Sequence, residues 1–388
     1  MRDPYNALMP YPSVPVASGD GPLNGLRFVV KDLFDVAGYR TGCGNAVRLA
    51  ESRVAEQHAP AVARLLQAGA VFAGKAQTDE LAWSLTGKNP YFGDIINPTA
   101  PDRISGGSSS GCAAAVAGGL AEFALGTDTG GSVRAPASFC GVWGLRPTWG
   151  RVPLAGCMPL VPSFDTGGLF ARDGVTLLAV AAALLGPDNA NLEGEEPLLA
   201  EDLVARLPDE VKRALETTFA RLSGGGVDLY VEDAETMHTC FDTLQSREVV
   251  ETQGPWIEEV RPPLGPMIRA RYTTSLAVTP AMEAEARNDR ERITGQLVDR
   301  LAGRAVLAPV VHDVPLRADA GVEQQMAFSD AARRLLCVAG IAGLPQVVFP
   351  AVRIGGAPIG LSLIGPPGSD LALVALAARL VEPEMAET

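Results

Sequence analysis

The sequence predicts an α/β fold, and three patterns carry that expectation. Short apolar runs of strand length alternate with helix-spaced segments over the first 75 residues. Further strand-like runs, at 121–126 and 305–311, stand beside helical stretches. The chain closes on two apolar runs, 344–352 and 357–367, that read as a hairpin leading into a helix over 370–381. With 47% hydrophobic residues among 388, the chain can bury a sizeable core. No linker, repeat or low-complexity tract divides it, so one domain over 1–388 is expected.

Residues 1–20 are Pro-rich and without periodicity, an arm laid over the domain. Leu26–Lys31 reads as a strand, APAVARLLQAGA (59–70) as a helix ending at Gly, and VFAGK (71–75) as a buried strand. TDELAWSL reads as a short helix with Thr78 as N-cap and acidic residues in its first turn. A long loop over 87–105 follows, and loops of that length inside a domain are usually functional. CAAAVAGGLA is helix-compatible, and AEFALG alternates apolar residues as a short buried strand. WGLRPTWGRVPLAG is turn-rich, and SFDTGGLFARDG leads into a helix over 175–186. Residues 188–300 are more polar, with helices at 233–253 and 282–302 around one strand, VDLYV (227–231). A helix over 329–343, capped by Gly343, precedes the closing hairpin.

Composition excludes several functions. A net charge of −13 argues against a nucleic-acid-binding surface and against attachment to anionic lipid. The six Cys form no CxxC pair and the three His no HExxH, which disfavours structural zinc, a disulfide framework and any metal cofactor. MRDPYNALMPYP lacks the apolar core of a secretory signal, and VTLLAVAAALLG is too short to span a bilayer. A reducing cytoplasm is the expected location. A homodimer is the assembly left open.

The chemistry concentrates in Gly106–Gly141, where two Gly/Ser clusters frame a helical run and a strand. A strand ending in Gly-Thr-Asp-Thr-Gly-Gly-Ser presents successive backbone N–H groups around a hydroxyl, as an oxyanion hole requires. A phosphate-binding loop needs Gly-Lys-Ser/Thr, and no Lys lies between Lys88 and Lys212. Gly107–Gly111 formally matches the G-x-S-x-G nucleophile elbow, with Ser109 as nucleophile. That motif needs an apolar strand running into it, and a polar, Pro-rich loop stands there instead. Basicity rests on 28 Arg and only four Lys, at 31, 75, 88 and 212. Lys, unlike Arg, can act as a base once deprotonated.

FVVKDLFDVAG, GGSSSGCAAAVAGG, GTDTGGSVRAPASFCGVWGLRPTWGRVP, SFDTGG and APIGLSLIG resemble, in that order, the amidase signature family. The likeness is strong over 21–186 and weaker over 303–382, while 188–300 has no matching segment. LTGKNPYFGDIINPTAPDRISGGSSSG looks most like the indole-3-acetamide hydrolase branch. The resemblance implies a mixed, largely parallel sheet with helices on both faces. It also implies a Ser–cis-Ser–Lys triad: Ser132 as nucleophile, Ser108 as bridging residue after a cis peptide bond, and Lys31 as base. The implied oxyanion hole comprises the backbone N–H groups of Thr129, Gly130, Gly131 and Ser132. Lys75 is assigned a structural role, and Asp128 with Arg134 an ion pair that fixes the nucleophile loop. Ser109 and Ser110 are assigned as turn hydroxyls, and Cys112 and Cys140 as small buried hydrophobes.

The expected reaction is hydrolysis of a small carboxylic amide, with an aryl-acetamide as one candidate and no cofactor. Ala82, Trp83, Trp143 and Met158 are candidate walls of the acyl pocket, with 188–300 on the substrate side. The alternatives are an amidotransferase A-type subunit feeding ammonia to a partner, which the short chain argues against, and a non-catalytic scaffold. The base sets a physical demand. An ordinary Lys is neutral about once in 2,500 molecules at pH 7, and bringing its pKa to 7 costs about 4–5 kcal/mol. Burial behind Phe28, Val29 and Val30 can supply that shift.

Overall fold

Ten strands join in one mixed sheet in the computed structural model of the chain, which describes residues 2–192 and 194–381. They are β1 (Arg27–Lys31), β2 (Val71–Ala76), β3 (Phe123–Asp128), β4 (Trp143–Arg146) and β5 (Thr166–Ala171). β6 (Leu198–Ala200), β7 (Gly226–Val227), β8 (Val306–Pro309), β9 (Gln346–Ile354) and β10 (Ala357–Ile364) complete the set. The spatial order is β2-β1-β3-β5-β4-β9-β10-β8-β6-β7. Parallel pairing is confined to the two flanks, β2-β1-β3 and β8-β6-β7. The five pairings between β3 and β8 are antiparallel. The sheet is therefore mixed as expected but not largely parallel; among its central pairings only β9–β10 is a tight hairpin, and β4 joins β5 through the loop 147–165.

The helices are α1 (Ala46–Glu51), α2 (Pro60–Gln67), α3 (Ser110–Ala117), α4 (Arg134–Cys140), α5 (Gly174–Leu185) and α6 (Glu201–Ala205). They continue with α7 (Asp209–Leu222), α8 (Ala234–Val260), α9 (Pro266–Ser275), α10 (Pro280–Leu301), α11 (Val322–Ile341) and α12 (Asp370–Val381). Adjacent residues of β4 show that both sheet faces are covered. A Cβ at Gly144 would meet Ala137 of α4, whereas the Trp143 indole packs under Gly174 of α5, and successive side chains of a strand point to opposite faces.

The β1–α2–β2 rhythm appears where the apolar runs place it, with Pro60 in the first turn of α2. Phe28, Val29 and Val30 are fully buried, as a parallel strand covered on both sides requires. The arm lies along the outer edge of β2: Leu8 bridges Ala76, and the Met9 N–H donates to the Lys75 carbonyl at 2.9 Å. Residue 1 of the arm is outside the described residues.

Several elements differ from the sequence reading. The helix expected from Thr78 is a single 3₁₀ turn, Glu80–Ala82, in which Leu81 and Ala82 have φ of 50° and 57°. Thr78 does not cap it, because its hydroxyl donates to the Ser108 carbonyl at 2.8 Å. β4 and β5 arise from segments read as turns or leaders. β5 holds Gly167 and Gly168, which weaken a strand signal but are needed there. Side chains at these positions would meet Val152 at 2.5 Å and Val133 at 2.7 Å. VDLYV contributes only Val227 to a strand, since the Tyr230 N–H turns to the Asp202 carboxylate instead of a neighbouring strand. α8 starts directly after its Asp233 cap, where the helix was read to begin, but runs on through Pro255 to Val260, and α11 begins seven residues earlier than read. α1, α6, α7, α9 and β6 carried no recognised signal.

A large apolar cluster fills the sheet against α2–α5 and α12. A second cluster packs α8–α11 against the sheet, with Phe164 and Phe241 rings 4.8 Å apart. No helix among the described residues is long and apolar enough to cross a membrane.

Candidate active site

Parallel pairing of β1 with β3 brings the carboxyl ends of both strands to one edge, where α/β sheets commonly hold their ligands. Lys31 ends β1 and is fully buried. Its Nζ donates to Ser108 Oγ at 2.8 Å and to Thr127 Oγ1 of β3 at 2.8 Å. The Gly107–Ser108 peptide is cis. The Ser108 carbonyl is held by the Thr78 hydroxyl at 2.8 Å and the Asp79 N–H at 3.2 Å. Burial pushes the Lys31 ammonium down to about 8, with Cys112, Asp79 and Asp128 opposing the shift. A group of that pKa is neutral in about a tenth of molecules at pH 7.

Asp79 ties the two loops around this contact. Its carboxylate accepts from Ser110 Oγ at 2.9 Å, from the Thr86 and Gly87 N–H groups at 3.2 and 3.0 Å, and from Ser84 Oγ. Burial raises its pKa, against the pull of these donors. Lys75, by contrast, is consumed by an ion pair with Asp32 at 2.9 Å and by the Phe34 carbonyl at 2.7 Å. Its place is structural.

Ser132 stands in the turn between β3 and α4, almost fully buried. Gly131 before it has φ of 116°, and a Cβ there would meet Leu336 at 2.4 Å, so only Gly fits. The turn is pinned by Asp128, which is bidentate to Arg134 at 2.7 and 2.9 Å and also bonded to Arg146 at 2.9 Å. Burial alone would raise the Asp128 pKa, but the two guanidinium groups hold it well below the usual carboxylate range. Thr129 Oγ1 donates to Asp165 at 2.6 Å, and Asp165 also gathers the N–H groups of Leu160 and Val161 at 2.9 and 3.0 Å.

The structure joins Lys31 to Ser108 and links the two serine loops through the Ser109 N–H, which donates to the Ser132 carbonyl at 3.2 Å. Ser132 Oγ has no hydrogen-bond partner among the described residues. One expected oxyanion donor is corrected: the Gly131 N–H is already committed to Asp128 Oδ1 at 3.0 Å. The N–H groups of Thr129, Gly130 and Ser132 have no acceptor among the described residues. Ser109 Oγ exchanges hydrogen bonds with the Thr127 backbone at 2.9 and 3.2 Å, and a loop, not a strand, runs into it, so it is no nucleophile elbow. Cys112 and Cys140 are buried, and burial raises both thiols.

Two adjoining cavities open here. The one over Ser132 is lined by Ala82, Trp83, Leu160, Gln245, Arg271 and Arg333, among others. The other, about 180 Å³, is lined by Leu33, Ala82, Thr127, Thr129, Met158 and Asp165, among others. Ala82, Trp83 and Met158 therefore border the site as expected. Trp143 does not: it points to the α5 face, with its ring 5.8 Å from Phe349, while Ser132 leads into α4 on the other face. Sequence reading missed Asp79, Arg146, Asp165 and Arg271. The SFDTGG motif was the available signal for Asp165; the others act through non-local partners.

A lysine on a serine hydroxyl, beside a second serine and open backbone N–H groups, suits acyl transfer, so fold and site define an enzyme of the hydrolase class. The chain belongs to the Amidase family, whose profile matches residues 13–374, and it is an amide-hydrolysing enzyme. It is 34% identical to Amidase 1 of Arabidopsis thaliana over 94% of this chain and 95% of that one. It is 31% identical to the glutamyl-tRNA(Gln) amidotransferase A-type subunit of Methanospirillum hungatei, over 90% of each chain. Chain length therefore does not separate it from such subunits, contrary to the expectation from its shortness. A crystal structure of an amidase superposes with a TM-score of 0.82 at 32% identity, covering 94% of this chain and 85% of that one.

Proposed function

We propose that the chain hydrolyses a small carboxylic amide through an acyl-enzyme on Ser132. Ser132 Oγ attacks the carbonyl carbon while its proton passes to Ser108 Oγ and the Ser108 proton passes to Lys31 Nζ. The oxyanion is received by the free N–H groups of Thr129, Gly130 and Ser132. The proton returns through Ser108 to the amide nitrogen, the C–N bond breaks, and ammonia leaves. Water, deprotonated along the same route, then attacks the ester to release the acid and restore Ser132. The observation that carries this reading is the 2.8 Å contact between the buried Lys31 amine and Ser108 Oγ. Lysine and two hydroxyls generate the nucleophile, so the mechanism is proposed to run without a metal and to survive EDTA.

The test is labelling. A fluorophosphonate should modify Ser132 in the wild type, and hydroxylamine should trap the acyl group as a hydroxamate. Absence of both would overturn the reading. Aryl-acetamides belong in the substrate panel because Ala82, Trp83, Met158 and Leu160 give the cavities apolar walls. A second reading, favoured by the similarity to the Methanospirillum hungatei protein, has the same chemistry feeding ammonia to a partner. Glutamine hydrolysis that rises when partner proteins are added would select it.

A further inference from the structure

The cavity of about 180 Å³ beside Thr127 and Thr129 continues outward. Leu33, Cys157, Met158 and Pro159 line it and also line an open groove of about 600 Å³ on the surface. These four residues form a neck that joins the site to the groove. The neck is apolar, whereas the groove beyond it holds Arg48, Arg53, Asp35 and Glu51. Both carboxylates are engaged by neutral donors: Asp35 by the Thr41 hydroxyl at 2.8 Å, and Glu51 by the Trp256 indole N–H at 2.9 Å. Neither arginine has an ion pair among the described residues. Arg53 is exposed. Arg48 of α1 is half-buried, with its guanidinium carbon 4.4 Å from the centre of the Trp256 ring of α8, and its Nε is shielded and unbonded. The Cys43 thiol beside it supplies no counter-charge, because burial pushes that thiol up to about 12.

We propose that the groove is a distal subsite for an anionic end group: the acyl arm of the substrate runs from Ser132 through the neck and sets a terminal carboxylate on Arg48. This rests on the acyl-enzyme reading and adds the substrate class, primary amides of an extended acyl chain that ends in a carboxylate. An apolar neck between two polar ends matches a molecule built in the same order, with amide, methylene arm and anion. The guanidinium, held over the indole, offers a carboxylate a planar fork of donors. A chain that ends inside the smaller cavity gains nothing from Arg48, so the subsite separates long substrates from short ones. Trp256 belongs to the stretch 188–300, which has no motif of its own, and this places part of that stretch on the substrate side.

The experiment measures kcat/KM of the full-length enzyme for succinamate, adipamate, suberamate and sebacamate, each against the neutral primary amide of equal chain length. At the length that spans the neck, the wild type should favour the carboxylate by about 10-fold, the scale of one charge-assisted hydrogen bond at a half-exposed site. Added salt should shrink that preference. Arg48→Gln should collapse it at that length while the ratio of succinamate to butanamide stays as it was, and Arg48→Lys should restore part of it. Cys157→Phe, which fills the neck, should lower kcat/KM for the long amides, charged and neutral alike, more than for phenylacetamide. Suberate should raise the Tm of the wild type more than that of Arg48→Gln, a readout independent of turnover. Fluorophosphonate labelling of Ser132 in each variant shows that fold and nucleophile are intact. A carboxylate preference absent at every longer length, or unaltered in Arg48→Gln, overturns the proposal and leaves the amidase reading standing. Failure to label Ser132 or to turn over any amide removes both.

Discussion

Replacing Lys31 with Met should inactivate the enzyme and stabilise it at neutral pH. Lys31 is fully buried, and its pKa falls from 10.5 to about 8 on folding. At pH 7 both folded and unfolded states carry the proton, so the folded state holds a buried cation at a cost of about 3 kcal/mol. Between pH 8 and 10.5 the unfolded chain binds more protons than the folded one, and stability rises with pH. Met removes that cost but also the bonds to Ser108 and Thr127, worth about 1 kcal/mol each. The net gain at pH 7 is then about 1 kcal/mol, and from pH 7 to pH 9.5 the advantage over the wild type should shrink by about 2 kcal/mol and change sign. Urea unfolding of both proteins at the two pH values measures this, and titrations common to both cancel. In parallel, wild-type kcat/KM should climb about tenfold per unit below an apparent pKa near 8 and level off above it. A stability difference that does not vary with pH, with a flat rate profile from pH 6 to 9, would refute the reasoning.

Ser132→Ala should lower kcat by at least about 10³-fold with little change in Tm, read in an ammonia-release assay. Ser109→Ala removes two buried hydrogen bonds to Thr127 and should cost about 1 kcal/mol of stability, with only a mild loss of rate. A severe rate loss at Ser109 with a mild one at Ser132 would exchange their roles. Asp128→Asn leaves Arg134 and Arg146 without a compensating charge in the interior and should cost about 3–5 kcal/mol, seen as a large fall in Tm.

The legible part of the site was the part built from adjacent residues. Lys31 closes a short apolar run that permits burial, but only the resemblance favoured a buried base over a surface place at the strand end. The Gly-Gly-Ser turn showed where backbone N–H groups would face a hydroxyl. The pairing of Lys31 with Ser108, 77 positions apart, came only through resemblance until the geometry placed the two groups 2.8 Å apart. Arg146 looked like any residue of a turn-rich segment, because its partner Asp128 lies on a different strand. Trp143 was an equally good pocket wall until the alternation of β4 sent it to the opposite face.

Local order was determined by the sequence itself: which apolar runs become strands, where Pro60 opens a helix, which glycines bend the chain at Ser132. These depend on neighbours within a few residues, whose steric and apolar preferences act before any distant contact forms. The tertiary structure alone decided the antiparallel centre of the sheet, the capture of the Gly131 N–H by Asp128, and the arrival of Arg271 over Ser132. Each of those depends on long-range pairing, and a buried charge or hydrogen bond takes its value from a partner whose position no local pattern encodes.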